Sequence, residues 1–96
     1  MNYRNKKLTQ SARDEPCVCC GNNNGTVVWA HSNEGKHGKG MGMKAHDLFG
    51  AYLCSTCHDV YDGRTPNYAL DKREWFRDQW EKSLIVACEK GYLSSK

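Results

Sequence analysis

The chain has 96 residues, which fits one small domain with a marginal core. Its 14 basic and 11 acidic side chains leave a net charge of only +3, and no apolar run reaches the length of a membrane span, so we expect no membrane partner. The first 12 residues contain no apolar run typical of a signal peptide, and we expect the protein in a reducing cytoplasm. There, six cysteines indicate a metal site rather than disulfides.

The charge is unevenly distributed along the chain. Residues 1–15 are polar and basic, and they predict a loosely ordered tail ahead of a single domain over residues 16–96. A glycine-rich loop over residues 32–45 is also basic and has too few apolar side chains to pack, so we expect it to be mobile or ordered by a ligand. The tail and this loop are therefore the places where a polyanion would be contacted.

Two Cys-x-x-Cys pairs predict a structural zinc site. They are Cys17 with Cys20, and Cys54 with Cys57. Four thiolates complete the tetrahedral shell of a closed zinc site. Cys19 is an alternative to Cys20, but a two-residue gap allows both sulfurs to converge, so we favour Cys20 and expect Cys19 to be a free thiol.

The remaining pattern predicts an α+β fold. Residues 26–31 are β-branched and aromatic and predict a strand, residues 51–53 predict a second, and a short helix follows. On that helix His58 and Asp62 are four residues apart and share one face. Apolar residues at steps of three and four predict a C-terminal bracing helix over residues 68–90, with Cys88 expected to be buried.

The ends of these elements suggest a second, more open site. His31 closes the first strand, and His58 directly follows the second cysteine pair. If one zinc ion joins the two pairs, the strand end and the short helix are brought close together. We therefore expect His31 to face His58 and Asp62 across a cleft.

These residues together resemble an HNH nuclease of the His-Me finger, or ββα-metal, superfamily. The resemblance covers about half of the chain, residues 17–64. This zinc-stabilised ββα core would contain the four cysteines of the zinc site. Size and layout also resemble the small HNH nucleases of lambdoid phages and prophages. The residues that carry it are Cys17-x-x-Cys20, Val28-Trp29-Ala30-His31, Asp47-Leu48, Leu53-Cys54-x-x-Cys57-His58 and Asp62.

The resemblance implies a catalytic role for three residues. His31 matches the strand histidine that acts as general base on the attacking water. His58 matches the helix histidine that binds a catalytic divalent metal, Mg²⁺ or Mn²⁺, and Asp62 lies where a second helix ligand is often found. The implied activity is hydrolysis of phosphodiester bonds.

The other positions that bind or orient the catalytic metal in this family are not matched as well by this sequence. Family members usually carry Asp or His just before the base, where this chain has Ala30, and the central Asn of the motif is not evident. His46 and Asp47 are the nearest candidates for these places.

Basic residues near the motif are expected to contact phosphates. DNA is the expected partner, although the sequence does not distinguish it from RNA, and a phage or host protein of recombination or replication is a further candidate. The alternative function is a non-catalytic zinc module that binds nucleic acid or a protein. The candidate phosphate contacts are Lys36, Lys39, Lys44 and Arg64.

Overall fold

The computed structural model describes residues 2–63 and 71–93 and shows a small α+β structure. Arg64 and the predicted start of the bracing helix, residues 68–70, lie outside the described residues. Short 3₁₀ turns cover Ser11–Asp14 and Gly35–His37. The helices and strands, in chain order, are α1 (Lys6–Gln10), β1 (Val28–His31), β2 (Gly50–Leu53), α2 (Ser55–Tyr61) and α3 (Lys72–Glu89).

Strands β1 and β2 form an antiparallel two-stranded sheet. Val28 pairs with Leu53 and His31 pairs with Gly50, so His31 lies at the end of the sheet. Every residue of β2 is buried, because α3 and β1 pack against it. Trp29 contacts Tyr52 edge to face, with ring centroids 4.9 Å apart. The sheet thus forms the centre of the core and fixes where His31 emerges.

Helix α2 begins directly after β2, with Cys54 as its N-cap residue. Ser55 is the first helical residue, and its N–H donates to Thr26 Oγ1 at 3.1 Å. Gly63 follows the helix with a φ of +82°, a conformation that glycine adopts without strain. The helix is therefore short, and both of its ends are defined.

Helix α3 braces the sheet through a narrow face. Its buried residues include Phe76, and Ser83 Oγ accepts the N–H of Tyr52 at 3.1 Å. We expected Cys88 to be buried, but Ala87 is buried and Cys88 is exposed, because successive helical residues point about 100° apart. Within residues 2–63 and 71–93, α3 and the shorter helices all fall short of the length and apolarity that a membrane span requires.

We predicted a loosely ordered tail over residues 1–15, and the described part of that segment, residues 2–15, contacts the core. Leu8 of α1 is fully buried, and Ser11 Oγ lies 2.7 Å from the hydroxyl of Tyr52 in the core. Glu15 is also buried, where Lys90 Nζ donates to it at 2.8 Å. Two buried apolar side chains, Leu8 and Ala12, and a few polar contacts dock this segment, although they leave no periodic pattern in the sequence.

Candidate functional site

The two predicted cysteine pairs meet in the structure and form one cluster. The four Sγ atoms of Cys17, Cys20, Cys54 and Cys57 all lie within 4.8 Å of one another. Cys19 is exposed and is not part of the cluster. Four sulfurs at this spacing can hold a metal ion such as zinc. We call these four residues the cysteine cluster.

Local backbone geometry builds the first half of the cysteine cluster. The N–H of Cys17 donates to Asn22 O, and the N–H of Gly21 donates to Cys17 O, each at 2.9 Å, which closes a tight turn. Gly21 has a φ of +78°, so the turn depends on a residue that accepts left-handed backbone. The N–H of Val18 donates to Tyr52 O at 3.0 Å and fixes this turn against β2. The sheet therefore sets the distance between the two cysteine pairs.

The protonation of the cysteine cluster is unequal. Burial raises the pKa of the Cys17 thiol, but backbone N–H donors, that of Cys54 first, outweigh it and bring the pKa down to about 7. Burial and the hydrogen bond to Cys54 raise the pKa of Cys57 far above its ordinary value. Without a cation, four crowded sulfurs cannot all carry negative charge. A divalent cation would replace the shared protons, since zinc binds the thiolate form.

A second site, which also uses α2, lies in an open cleft of about 550 Å³. We call it the cleft. The cleft brings together most of the predicted site residues, which come from β1, the following loop and α2. Those that line it are His31, Lys39, Lys44, Asp47, His58 and Asp62.

His31 and Asp47 form a close pair in the cleft. His31 Nε2 lies 2.7 Å from Asp47 Oδ1. The Asp47 side chain is only 5% exposed, and both of its oxygens are occupied: Oδ1 also accepts from Arg4 at 3.2 Å, and Oδ2 accepts the N–H of Asn5 at 2.6 Å. Trp29 Nε1 donates to the carbonyl of Asp47 at 2.8 Å. Asp47 is thus held beside His31 through both its side chain and its backbone.

His58 and Asp62 form a second pair on one face of α2, as their four-residue spacing predicts. His58 Nε2 lies 3.1 Å from Asp62 Oδ2, and Asn33 Nδ2 donates to Asp62 Oδ1 at 3.0 Å. Both side chains are about a quarter exposed and line the cleft. A nitrogen and an oxygen donor this close together, open to water on one side, can share one divalent cation.

Two other predicted site residues, Lys36 and His46, lie outside the cleft lining. Lys36 lies outside the cleft lining, 3.6 Å from Glu34. His46 accepts the N–H of Tyr3 on its Nδ1 atom at 2.7 Å and is not among the residues that line the cleft. Arg64 lies outside the described residues.

The cleft lining includes residues that were not predicted from the sequence, among them Arg4, Thr9 and Asn33. Arg4 belongs to the segment that we expected to be loosely ordered, and Asn33 lies in the loop after β1, yet both line the cleft. Asn33 follows the strand histidine by two residues, so its proximity to His31 was a usable signal. Arg4 has no such signal, because it reaches the cleft through contacts with residues about 40 positions away.

Comparison with known proteins gives one match. The family model described as "Putative nuclease YbcO" matches residues 6–92. Neither the curated proteins nor the solved structures give a match. The matched stretch includes α1, the cysteine cluster, α3 and the residues of the cleft other than Arg4.

Proposed function

The chain belongs to the family described as "Putative nuclease YbcO", and from this premise we propose that it is a metal-dependent endonuclease of the HNH type that hydrolyses phosphodiester bonds in DNA. One observation carries the proposal. The same cleft contains a histidine–carboxylate pair suited to proton transfer, His31 with Asp47, and a second pair suited to binding a cation, His58 with Asp62. A module that only bound nucleic acid would need neither pair.

His31 acts as the general base. A carboxylate only accepts hydrogen bonds, so the Asp47 contact places the imidazole proton on Nε2 and leaves Nδ1 free to accept a proton. The attacking water gives its proton to Nδ1, and its oxygen attacks phosphorus as the leaving oxygen departs. Asp47 then stabilises the imidazolium that forms. Asp47 therefore has the orienting role for which no central Asn was evident.

His58 and Asp62 are the candidate ligands for the catalytic cation. The Asp62 carboxylate is the kind of oxygen donor that Mg²⁺ and Mn²⁺ prefer, and such ions keep several waters and are often held by one or two carboxylates and the substrate phosphate, so His58 would add one nitrogen donor to the shell. Such a cation would neutralise charge on the scissile phosphate and the leaving oxygen. The Asp47 carboxylate accepts hydrogen bonds from other groups, and Ala30 has no ligand atom in its side chain. We therefore assign His58 and Asp62 as the protein ligands of the catalytic cation.

The backbone order supports an HNH-type finger. Two antiparallel strands lead directly into a short helix, and the strand histidine and the helix histidine line the same cleft. Lys39 and Lys44 line the cleft as well, where their ammonium groups can contact phosphates on either side of the scissile bond. A zinc ion in the cysteine cluster would hold the start of that helix against the sheet.

The test is cleavage of supercoiled plasmid, linear duplex, single-stranded DNA and RNA with and without Mg²⁺ or Mn²⁺. We expect metal-dependent cleavage of DNA by the wild type. His58→Ala should retain zinc and fold but lose cleavage, whereas His37→Ala, a histidine outside the cleft lining, should cut at close to the wild-type rate. If the wild type cuts no substrate with any of these metals, the enzyme proposal fails, and a non-catalytic zinc module becomes the better account.

A further inference from the structure

The N-terminal segment, residues 2–5, binds the stretch of chain that carries Asp47. We infer that this segment is part of the catalytic site and that Arg4 is a positioning residue, which keeps the Asp47 carboxylate aimed at His31. The inference rests on the proposed function of the His31–Asp47 pair. It adds a residue that neither the motif nor the match to the family model, which begins at residue 6, includes.

The Arg4 guanidinium donates hydrogen bonds to three acceptors at Asp47 and in the two or three residues before it. Its Nη1 donates to Asp47 Oδ1 at 3.2 Å and to the carbonyl of Ala45, and its Nη2 donates to the carbonyl of Lys44 at 2.8 Å. One guanidinium therefore ties the carboxylate to the backbone just before it. A planar fork of donors suits this geometry, and a lysine ammonium would reproduce only part of it.

The neighbours of Arg4 hold the same stretch from both sides. The N–H of Asn5 donates to Asp47 Oδ2 at 2.6 Å, and the N–H of Asp47 donates to Tyr3 O at 2.9 Å. Asn2 Nδ2 donates to Lys44 O at 2.9 Å and to Gly38 O at 2.7 Å. Asp47 is thus held through its side chain and its backbone, and every one of these partners comes from the first five residues.

Charge gives Arg4 a role beyond packing. Asp47 is almost completely buried, and a buried carboxylate is stabilised by a cationic partner that also donates a hydrogen bond to it. Without Arg4, Asp47 Oδ1 would lose a donor that holds it beside His31 Nε2, and the contact that fixes the Nε2–H form of His31 would weaken. The half-exposed side chain of Arg4 also lines the cleft.

The experiment compares Arg4→Ala, Arg4→Lys and Arg13→Ala in the full chain. Arg13 is an exposed arginine of the same N-terminal region and does not line the cleft, so its loss makes a matched change in charge. We expect Arg4→Ala to lower kcat by about 10–100-fold, the usual effect of losing a hydrogen-bond partner that orients a site residue, with a smaller change in KM. Arg4→Lys should recover part of kcat, and added guanidinium should raise kcat of Arg4→Ala but not of Arg13→Ala.

A second readout does not depend on catalysis. The ¹⁵N shifts of the His31 ring report which nitrogen carries the proton, and we expect the Nε2–H pattern in the wild type and Arg13→Ala but a mixed pattern in Arg4→Ala. Unchanged ring shifts and a kcat within about twofold of wild type in Arg4→Ala would overturn the inference. If the Nε2–H pattern is present in the wild type and lost in Arg4→Ala, but the wild type cuts no nucleic acid, the nuclease proposal is refuted and the positioning role of Arg4 stands.

Discussion

The cysteine cluster and the cleft both use α2, but they differ in almost every physical respect. The cluster has four like donors within 4.8 Å, two of them buried. The cleft has unlike pairs, His31 with Asp47 and His58 with Asp62, and it is open to solvent over about 550 Å³. The first arrangement is typical of a structural metal site and the second of a reactive one.

The comparison shows how one short helix can serve both purposes. Cys54 and Cys57 lie at its start, and His58 and Asp62 occupy the next turn. Loss of the cysteine cluster should therefore disrupt the cleft, whereas loss of a cleft residue should leave the cluster intact. This one-way dependence can be tested.

The largest effect is expected from breaking the cysteine cluster. Cys57→Ser should lose zinc and unfold, because apparent zinc-binding energies of about 10–16 kcal/mol at such sites are also folding energy. The matched control is Cys19→Ser, a neighbouring exposed cysteine outside the cluster, which should keep close to one zinc per chain. Metal analysis and circular dichroism measure both. A folded, zinc-free wild type would refute the structural role of the cluster.

The next largest effect is expected within the cleft. Asp47→Asn nearly preserves shape but removes the charge that holds the His31 tautomer, so cleavage should fall by about 10²–10⁴-fold while zinc content is unchanged. The measurement is the single-turnover cleavage rate at saturating enzyme. A variant that cuts at the wild-type rate would show that the pair has no catalytic role.

A smaller effect on both stability and activity is expected from Gly50→Ala. A Cβ at Gly50 would lie 2.2 Å from Trp29 Nε1, the atom that donates to the carbonyl of Asp47. Displacement of Trp29 should cost about 1–3 kcal/mol of unfolding free energy and should also lower cleavage. Gly35→Ala is the control, because a Cβ there meets nothing within 4 Å. Equal unfolding midpoints for the two variants would contradict this account.

Single lysines of the cleft should have the smallest effect. Lys39→Ala and Lys44→Ala should each reduce the slope of log K for DNA against log salt concentration by about 0.9, while Lys36→Ala, outside the cleft lining, should not. Fluorescence anisotropy over a range of salt concentrations measures the slopes. If all three lysines reduce the slope equally, the cleft does not define the path of the DNA.

The sequence predicted the features that depend on short separations. The two cysteine pairs, the His58–Asp62 face of α2 and the position of His31 at a strand end all follow from spacing of a few residues. Which residue of a helix is buried changes with a shift of a single position. The prediction that Cys88 is buried was wrong by one residue, since Ala87 occupies the buried position.

The features that local spacing did not predict depend on long separations. Asp47, which only the resemblance offered, together with His46, as a candidate for the site, reaches His31 across 16 residues, and Arg4 reaches Asp47 across 43. Neither contact leaves a periodic pattern, and a polar, basic N-terminus looks the same whether it is solvated or docked. Composition predicted a loose segment, whereas buried Leu8 and the hydrogen bonds of residues 2–5 decide its position.

The central claim is that His31 removes a proton from the attacking water, and chemical rescue tests it most directly. His31→Gly, prepared with the same zinc content as the wild type, should lose most of its metal-dependent cleavage of plasmid DNA. Added imidazole should restore cleavage in proportion to its free-base concentration, because a small base can occupy the space of the missing ring. A His31→Gly variant that cuts as fast as the wild type, or one whose lost activity imidazole cannot restore at any pH, would contradict the account.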